Sequence, residues 1–449
     1  MTNSLQLPYP VLTTYAGPQY IIVPMKARIL PCIALAAIVA LAASSLPAAE
    51  PDPGFVAHEW GTFTSVQGSD GVQMLWNPRI APELPGFVYD RNRPRGPKGP
   101  RTFFPGKPSM YYRQRMETPV LYFYSSQSRT VDVSIRFPRG DVTEWFPFQT
   151  APLTVTDHAV DAPVLHWEKV HLLAGEPDTK GVQLSEENPG SHYYAARATS
   201  STILQTTGPG GAPEYEKFLF YRGVGNDEAP LTVTMDRADS HHVTLTNSSA
   251  WELRNLFLFE VRDNGDAWRK VDRLAPAESR EVNLPKNASA ASLADLVSDL
   301  REALIGEGLY APEASAMIKT WDSSWFSERG MRVLYTLPRP WADRVLPLQI
   351  KPAPRETTRV MVARAELITP ETERALQEQL ARYAAAPKAR RPQIVAETRA
   401  LGLGRFLEAA LLRIRTLGKQ DPAADGLAWE LISAASAPPK PEPPPTAKN

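Results

Sequence analysis

Five side chains carry the most specific chemistry in this sequence: His58, Glu59, His166, Glu168 and His192. Imidazole nitrogens and carboxylate oxygens can hold a divalent metal, and a metal so held lowers the pKa of bound water enough to make a nucleophile near neutral pH. His166 and Glu168 stand two apart and share one face of a strand. Four of the seven histidines lie between His158 and His192. His58 opens the string HEWGT, which starts like the zinc-protease helix motif. That motif needs a second histidine where Thr62 stands, and Gly61-Thr62-Phe63-Thr64 favours a strand, so the zinc-protease reading fails. A metal site would have to be assembled from distant strands, where imidazoles also serve as hydrogen-bonded structural groups. His241 and His242, adjacent in a strand, point to opposite faces.

Other catalytic grammars are missing or weak. No GxSxG string marks a nucleophile elbow, although a triad built by geometry alone needs none. GPGGAP at Gly208 has no following GK[ST], and YRGVGND at Tyr221 lacks a third glycine, so no phosphate-binding or dinucleotide fingerprint is present. Ten tryptophans suit stacking on sugar rings, and acidic-aromatic neighbours stand at Glu59-Trp60, Glu144-Trp145, Trp167-Glu168 and Trp321-Asp322. A glycosidase would need two such carboxylates facing across a sugar. Met317, Trp321 and Trp325 form a helical stripe that predicts core packing, with a ligand platform as the alternative.

The elements that would position these groups are strands first and helices later. Between Phe55 and about Pro285 the apolar residues fall in short β-branched and aromatic runs: PVLYFYS from Pro119, TVDVSIRF from Thr130, LTVTM from Leu231, HHVTLTN from His241 and LFLFEVR from Leu256. DNGD, between LFLFEVR and AWRKVDR, predicts a tight hairpin with positive φ at Asn264 and Gly265. GSDG at Gly68 to Gly71 is a second turn candidate. From Ser292 the period changes: Leu293, Leu296, Val297, Leu300 and Leu304 share a helical face that ends near Gly306 and Gly308. A second helix is predicted from Pro312 towards Trp325. MRVLYTLP from Met331, VLPLQI and TRVMVARAEL from Thr358 read as strands free either to rejoin the first sheet or to form a separate α+β unit.

Thr369, Pro370, Glu371 and Glu373 predict a capped helix start, with further helical segments over 392–401, 403–417 and 422–433. The expected fold is therefore α+β: an antiparallel, β-sandwich-like N-terminal part with a helical insertion and a C-terminal helical bundle. The divisions are a β-rich domain over 50–290, an α+β segment over 291–369, a helical region over 370–436 and a disordered Pro-rich tail over 437–449.

Before the first strand stands a secretory signal read from Met25, not Met1: Lys26 and Arg28, an apolar run from Ile29 to Ala43, then small residues to Ala49. Residues 1–24 have no part in that pattern and suggest a misassigned start. Pro31 interrupts the run, which is shorter than the roughly 20 apolar residues of a membrane span. Cleavage near Ala49 would give a periplasmic or extracellular chain and remove Cys32, the one cysteine, leaving neither disulfide nor thiolate metal site. Lys plus Arg equals Asp plus Glu at 49 each, so no general charge attraction to nucleic acid is expected. RNRPRGPKGPR over 91–101 reads as a solvated basic loop, with contact to a polyanionic envelope polymer as the alternative.

Four long strings, AHEWGTFTSVQGSDG from Ala57, RMETPVLYFYS from Arg115, FPRGDVTEWFP from Phe137 and EASAMIKTWDSSWFSERGMRVLY from Glu313, resemble an uncharacterised family of exported bacterial proteins over most of residues 55–370. That resemblance implies export and no particular mechanism. The leading expectation is a non-catalytic extracytoplasmic binding or assembly module for a protein or an envelope component, without a membrane span in its mature chain. The alternatives are a metal-dependent hydrolase using His58, Glu59, His166, Glu168 and His192, and a carbohydrate-active enzyme or lectin.

Overall fold

The computed structural model describes residues 52–78, 84–91, 111–149, 162–263, 265–287, 292–418 and 422–436. The leader, the signal segment, residues 92–101 of the basic loop, Asn264 and the tail lie outside them. The strands are β1 (Asp52–Gln67), β2 (Tyr89–Asp90), β3 (Gln114–Ser125), β4 (Arg129–Arg136), β5 (Gly140–Phe146), β6 (Val164–Leu173), β7 (Ile203–Thr207), β8 (Pro213–Glu216) and β9 (Leu219–Gly225). They continue as β10 (Leu231–Met235), β11 (His242–Asn247), β12 (Leu253–Val261), β13 (Ala267–Leu274), β14 (Ser279–Asn283), β15 (Gly330–Thr336), β16 (Leu348–Lys351) and β17 (Pro354–Leu367). The longer helices are α1 (Leu293–Gly306), α2 (Ala311–Trp325), α3 (Arg339–Val345), α4 (Pro370–Ala385), α5 (Arg391–Arg399), α6 (Leu407–Leu417) and α7 (Pro422–Ser436).

Nine strands form the main sheet in the order β13-β12-β15-β17-β1-β3-β9-β5-β2. Every neighbouring pair is antiparallel except β1 with β17, which run parallel with Trp60 opposite Val360. The later strands thus rejoin the first sheet, and β17 lies beside its central strand β1, while β16 pairs with β4 in a second sheet ordered β16-β4-β6-β7-β8. A third, β10-β11-β14, completes the strand layers.

Because β1 is central, both its faces are covered and its burial does not alternate. On the odd-numbered face, Gln67 bonds the Leu231 carbonyl and the Val233 amide of β10, and Tyr221 packs edge-on against Phe137 at the end of β4. The two small sheets therefore back this face and give the sandwich. On the even-numbered face lie α2, a 3₁₀ segment over His192–Arg197 and part of the C-terminal bundle: Glu313 reaches His58, Tyr122 bonds the Ala196 carbonyl, and Phe406 lies 5.1 Å from the Arg364 guanidinium.

Local chemistry accounts for the helices. Ser292 and Asp295 form a reciprocal capping box at the start of α1, and its buried residues are Leu296, Leu300 and Leu304. In α2, Met317, Trp321 and Trp325 are all buried, so the aromatic stripe is core. Thr369 caps α4 by accepting from the Thr372 amide at 3.2 Å. The bundle's core, including Leu376, Leu411 and Leu431, continues into Val66, Met74 and Trp76 of the first hairpin.

Both expected turns hold a glycine at positive φ. Gly71 takes φ +80° and its amide bonds the Gly68 carbonyl at 2.9 Å, closing the GSDG turn as expected. The β12–β13 ladder ends at Glu260 opposite Ala267, and Gly265 takes the expected positive φ, +107°, whereas Asn264 lies outside the described residues. Beside it the Arg262 amide bonds the Asp266 carboxylate, and its guanidinium is held by the carbonyls of Pro285 and Lys286.

Gly61 explains why HEWGT is a strand. It lies where the β1–β3 register shifts between Trp60 and Thr62, opposite Thr118 at φ 49°. A Cβ at Gly61 would stand 2.9 Å from the Pro119 Cα and 3.1 Å from the Met361 sulfur. Gly61→Ala should therefore destabilise the protein by about 1–3 kcal/mol through overpacking between central strands. Urea unfolding with an unchanged midpoint would refute this.

Candidate functional site

His58 and Glu59 leave β1 in opposite directions. On the helix side, His58 Nδ1 lies 2.9 Å from Glu313 Oε2, and that carboxylate also accepts from the Tyr124 hydroxyl at 2.7 Å and the Tyr310 amide at 2.7 Å. Tyr310 and Tyr124 flank the imidazole at centroid distances of 4.4 and 5.5 Å. Burial first, then the Glu313 charge, push the Tyr124 phenol well above its ordinary pKa, so it stays a hydrogen-bond donor. An imidazole oriented by a carboxylate is half of a general-base triad. Here the carboxylate's remaining capacity is spent on capping α2 and holding Tyr124.

On the small-sheet side, Glu59 accepts from the Tyr221 hydroxyl and from Arg359 Nε, both at 2.5 Å. Arg359 is its cross-strand partner on β17 and also reaches Asp343 of α3 at 2.7 Å. A fully buried carboxylate with one oxygen on a phenol and the other on a guanidinium is a structural ion pair.

His192, at the start of the 3₁₀ segment, belongs to a third environment. Its ring packs at a tilt against Trp321, with centroids 5.6 Å apart, and its Nε2 lies 3.0 Å from Arg222 Nη2. Burial first, then the Arg222 charge, lower its pKa to about 4 against the weaker pull of Glu117, so the ring is neutral at pH 7. A guanidinium can only donate. Nε2 is therefore the acceptor, and the ring proton sits on Nδ1.

Arg222 belongs to a buried cluster on the helix-facing side of β3, β9 and β5. Arg115 donates to both Glu144 oxygens at 3.2 and 3.0 Å, and Arg405, from the turn before α6, donates to Glu117 at 2.8 Å. Burial alone would raise both carboxyls. Arg115 and Arg222 outweigh it at Glu144, and Arg405, Arg115 and Arg222 at Glu117, so both are held below the usual carboxylate range. Burial, with Arg115 and Arg405 alongside, brings Arg222 down to about 10 against the attraction of Glu144 and Glu117. A second cluster on the same face joins Glu366 to Arg332 and Arg364.

His166 and Glu168 lie together as expected from their spacing, 3.7 Å apart on the solvent side of β6. The five proposed ligands thus occupy four places and are not brought together. Among the described residues no group of three or more His, Cys, Asp or Glu side chains is arranged to hold a metal. The tryptophans beside the candidate sugar-binding carboxylates, Trp60, Trp145, Trp167 and Trp321, are all buried, so none offers a stacking face. Residues missing from the sequence reading, Arg115, Glu117, Arg364 and Glu366, carried a signal: charges two apart in strand-like runs share a face, and here both faces of the sheet are covered.

The open site lies elsewhere. A cleft of about 490 Å³ runs between the turn after β1 and helices α6 and α7, lined by Val72, Met74, Leu75, Tyr111, Leu412 and Trp429, among others. Val72, Leu75 and Trp429 keep 55%, 51% and 37% of their surface exposed. Among the described residues the only other large apolar side chains so exposed are Tyr310, Leu401 and Leu417. The Ser69 amide and hydroxyl both bond Glu373 of α4, at 3.0 and 2.9 Å, pinning the turn to the bundle.

No family model matches the chain, and no curated protein matches it. Among solved structures, the chain is similar to the Fcho1 Mu homology domain of Danio rerio with bound Eps15 peptide (9% identity, TM-score 0.29, 72% of this chain and 100% of that one). It is also similar to a yeast delta-COP-I mu-homology domain complexed with Dsl1 WxWxV peptide (7% identity, TM-score 0.24, 70% of this chain and 96% of that one). Likeness at these scores carries no conclusion about fold or function.

The His192 environment has a pH signature. A folded pKa of about 4 against an unfolded value of about 6.5 stabilises the protein fully above pH ~6.5, and the gain is lost as pH falls towards 4. Between pH 7 and pH 5 the wild type should lose up to about 2 kcal/mol more stability than His192→Gln, which keeps an acceptor for Arg222 but does not titrate. Urea unfolding at the two pH values measures it, and equal losses would dismiss the assignment.

Proposed function

We propose that this protein is exported and acts as a binding or assembly module that docks another protein in the cleft between the first hairpin and the C-terminal helices. One observation carries the reading: half of the large apolar side chains exposed among the described residues, Val72, Leu75 and Trp429, converge on that one cleft. Apolar groups kept half out of water on a pinned, ordered scaffold are a usual mark of an interaction site. The imidazoles and buried carboxylates, by contrast, are engaged in packing and ion pairs. Export is supported by the signal grammar from Met25 and by the resemblance of four strings to exported bacterial proteins.

Two outcomes are expected in the source cell. The intact mass of the envelope-fraction protein should correspond to a chain beginning close to Glu50; a cytosolic full-length chain would remove the export half of the reading. Photo-crosslinking residues placed at positions 72 and 75 should trap a discrete partner that the same residue at exposed Asp272 does not trap. Equal labelling from all three positions would remove the binding half.

A further inference from the structure

The charges around the cleft specify its occupant further. Among the described residues three arginines line it, Arg113, Arg413 and Arg415, and no carboxylate does. Arg413 is spent on Asp70 and Glu373, and Arg415 on Asp425 while it lies 4.7 Å from the Trp429 ring centroid. Arg113 differs: its amide is fixed to the Gly225 carbonyl at 3.1 Å and to Asn226 Oδ1 at 3.3 Å, but among the described residues its guanidinium has no carboxylate partner. A positioned cation thus stands on the wall of an apolar cleft otherwise supplied with aromatic, Met and Leu side chains.

We infer that the cleft takes a segment of a partner protein carrying bulky apolar side chains beside a carboxylate, the apolar groups seating on Leu75, Val72 and Trp429 and the carboxylate pairing with Arg113. This rests on the binding-module reading. Tyr111, Trp429, Met74 and the arginines match the residue types enriched at protein interfaces, which favours a polypeptide over a simple amphiphile. A carboxylate from the partner would supply Arg113 with the pairing that Asp70, Glu373 and Asp425 give its neighbours, whereas a basic segment would be repelled by Arg113. Charge at the rim sets selectivity and salt dependence, whereas the apolar seat sets affinity.

The test uses the mature chain and three fluorescent peptides of about twelve residues. All have the same Leu and Phe anchors, flanked by Glu, Gln or Lys, and anisotropy gives their Kd values at low and moderate salt. Binding should follow Glu over Gln over Lys, with about a tenfold span that narrows with salt. Arg113→Glu should abolish or invert that order, and Trp429→Ala should weaken all three peptides about tenfold, each variant having wild-type circular dichroism. Equal affinity for the three peptides, unmoved by Arg113→Glu, would overturn the acidic selectivity and leave the binding module standing. Failure of every peptide, with position-specific crosslinks still formed from 72 and 75, would overturn the inference while sparing that reading; loss of the crosslinks too would remove both. Binding of laurate but no peptide would make the occupant an amphiphile. Dimerisation lost on Trp429→Ala would make it a second copy, and tighter peptide binding by a chain ending at residue 436 would make it the tail; each result overturns the inference.

Discussion

A charge placed inside a sheet covered on both faces must meet its countercharge there, because water cannot solvate it. In this protein those meetings join segments far apart in sequence. Glu59 and Arg359 are separated by 300 positions and Glu117 and Arg405 by 288, and hydrogen bonds to buried carboxylates span 255 positions from His58 to Glu313 and 304 from Ser69 to Glu373. The first strands and turn are thereby tied to β17, α2, the turn before α6, and α4. Breaking one partner of such a buried pair leaves the other uncompensated, a larger loss than removing both. The pairs therefore act as registration pins: apolar packing supplies the stability, and the charges decide which strand lies beside which.

The same requirement explains why histidines and carboxylates that resembled catalytic equipment turn out to be structural. His58, Glu59 and His192 each have a partner of matching donor or acceptor character within 3.0 Å. A catalytic group must keep a lone pair or a proton free for substrate, whereas His58 Nδ1, both Glu59 oxygens and His192 Nε2 are already engaged within the protein. The exposed turn and the bundle surface are different, since among the described residues Val72, Leu75 and Trp429 stay partly out of the core and the cation Arg113 has no countercharge.

Much of the fold was legible in the sequence because helix and strand periodicities are local. Leu296, Leu300 and Leu304 had to share a face, and Thr369 with Pro370 had to begin a helix, whatever they packed against. The parallel neighbourhood of β1 and β17 was not legible, since no local signal links residues 300 positions apart. The anchoring of Arg262 by the carbonyls of residues 285 and 286 was equally out of reach of any local signal. The cleft was invisible because it depends on how a hairpin near residue 72 sits against helices after residue 407. The sequence did offer Arg115 with Glu117, and Arg364 with Glu366, as strand charges sharing a face; their burial required knowing that helices cover that face.

The parallel pair β1–β17 also sets when the molecule can fold. Its central strand ends at Gln67, and the partner that completes one side of it ends at Leu367. Contacts of such sequence separation require closing a very large loop before they return any free energy, so they form late and slowly. During synthesis the sheet cannot close until most of the chain has been made. Until then β1 offers an unpaired edge that must be kept from sticking to other chains. A chain whose first strand waits for its last cannot lock its main sheet until synthesis is nearly done, so any helper that guards that edge must stay with it to the end.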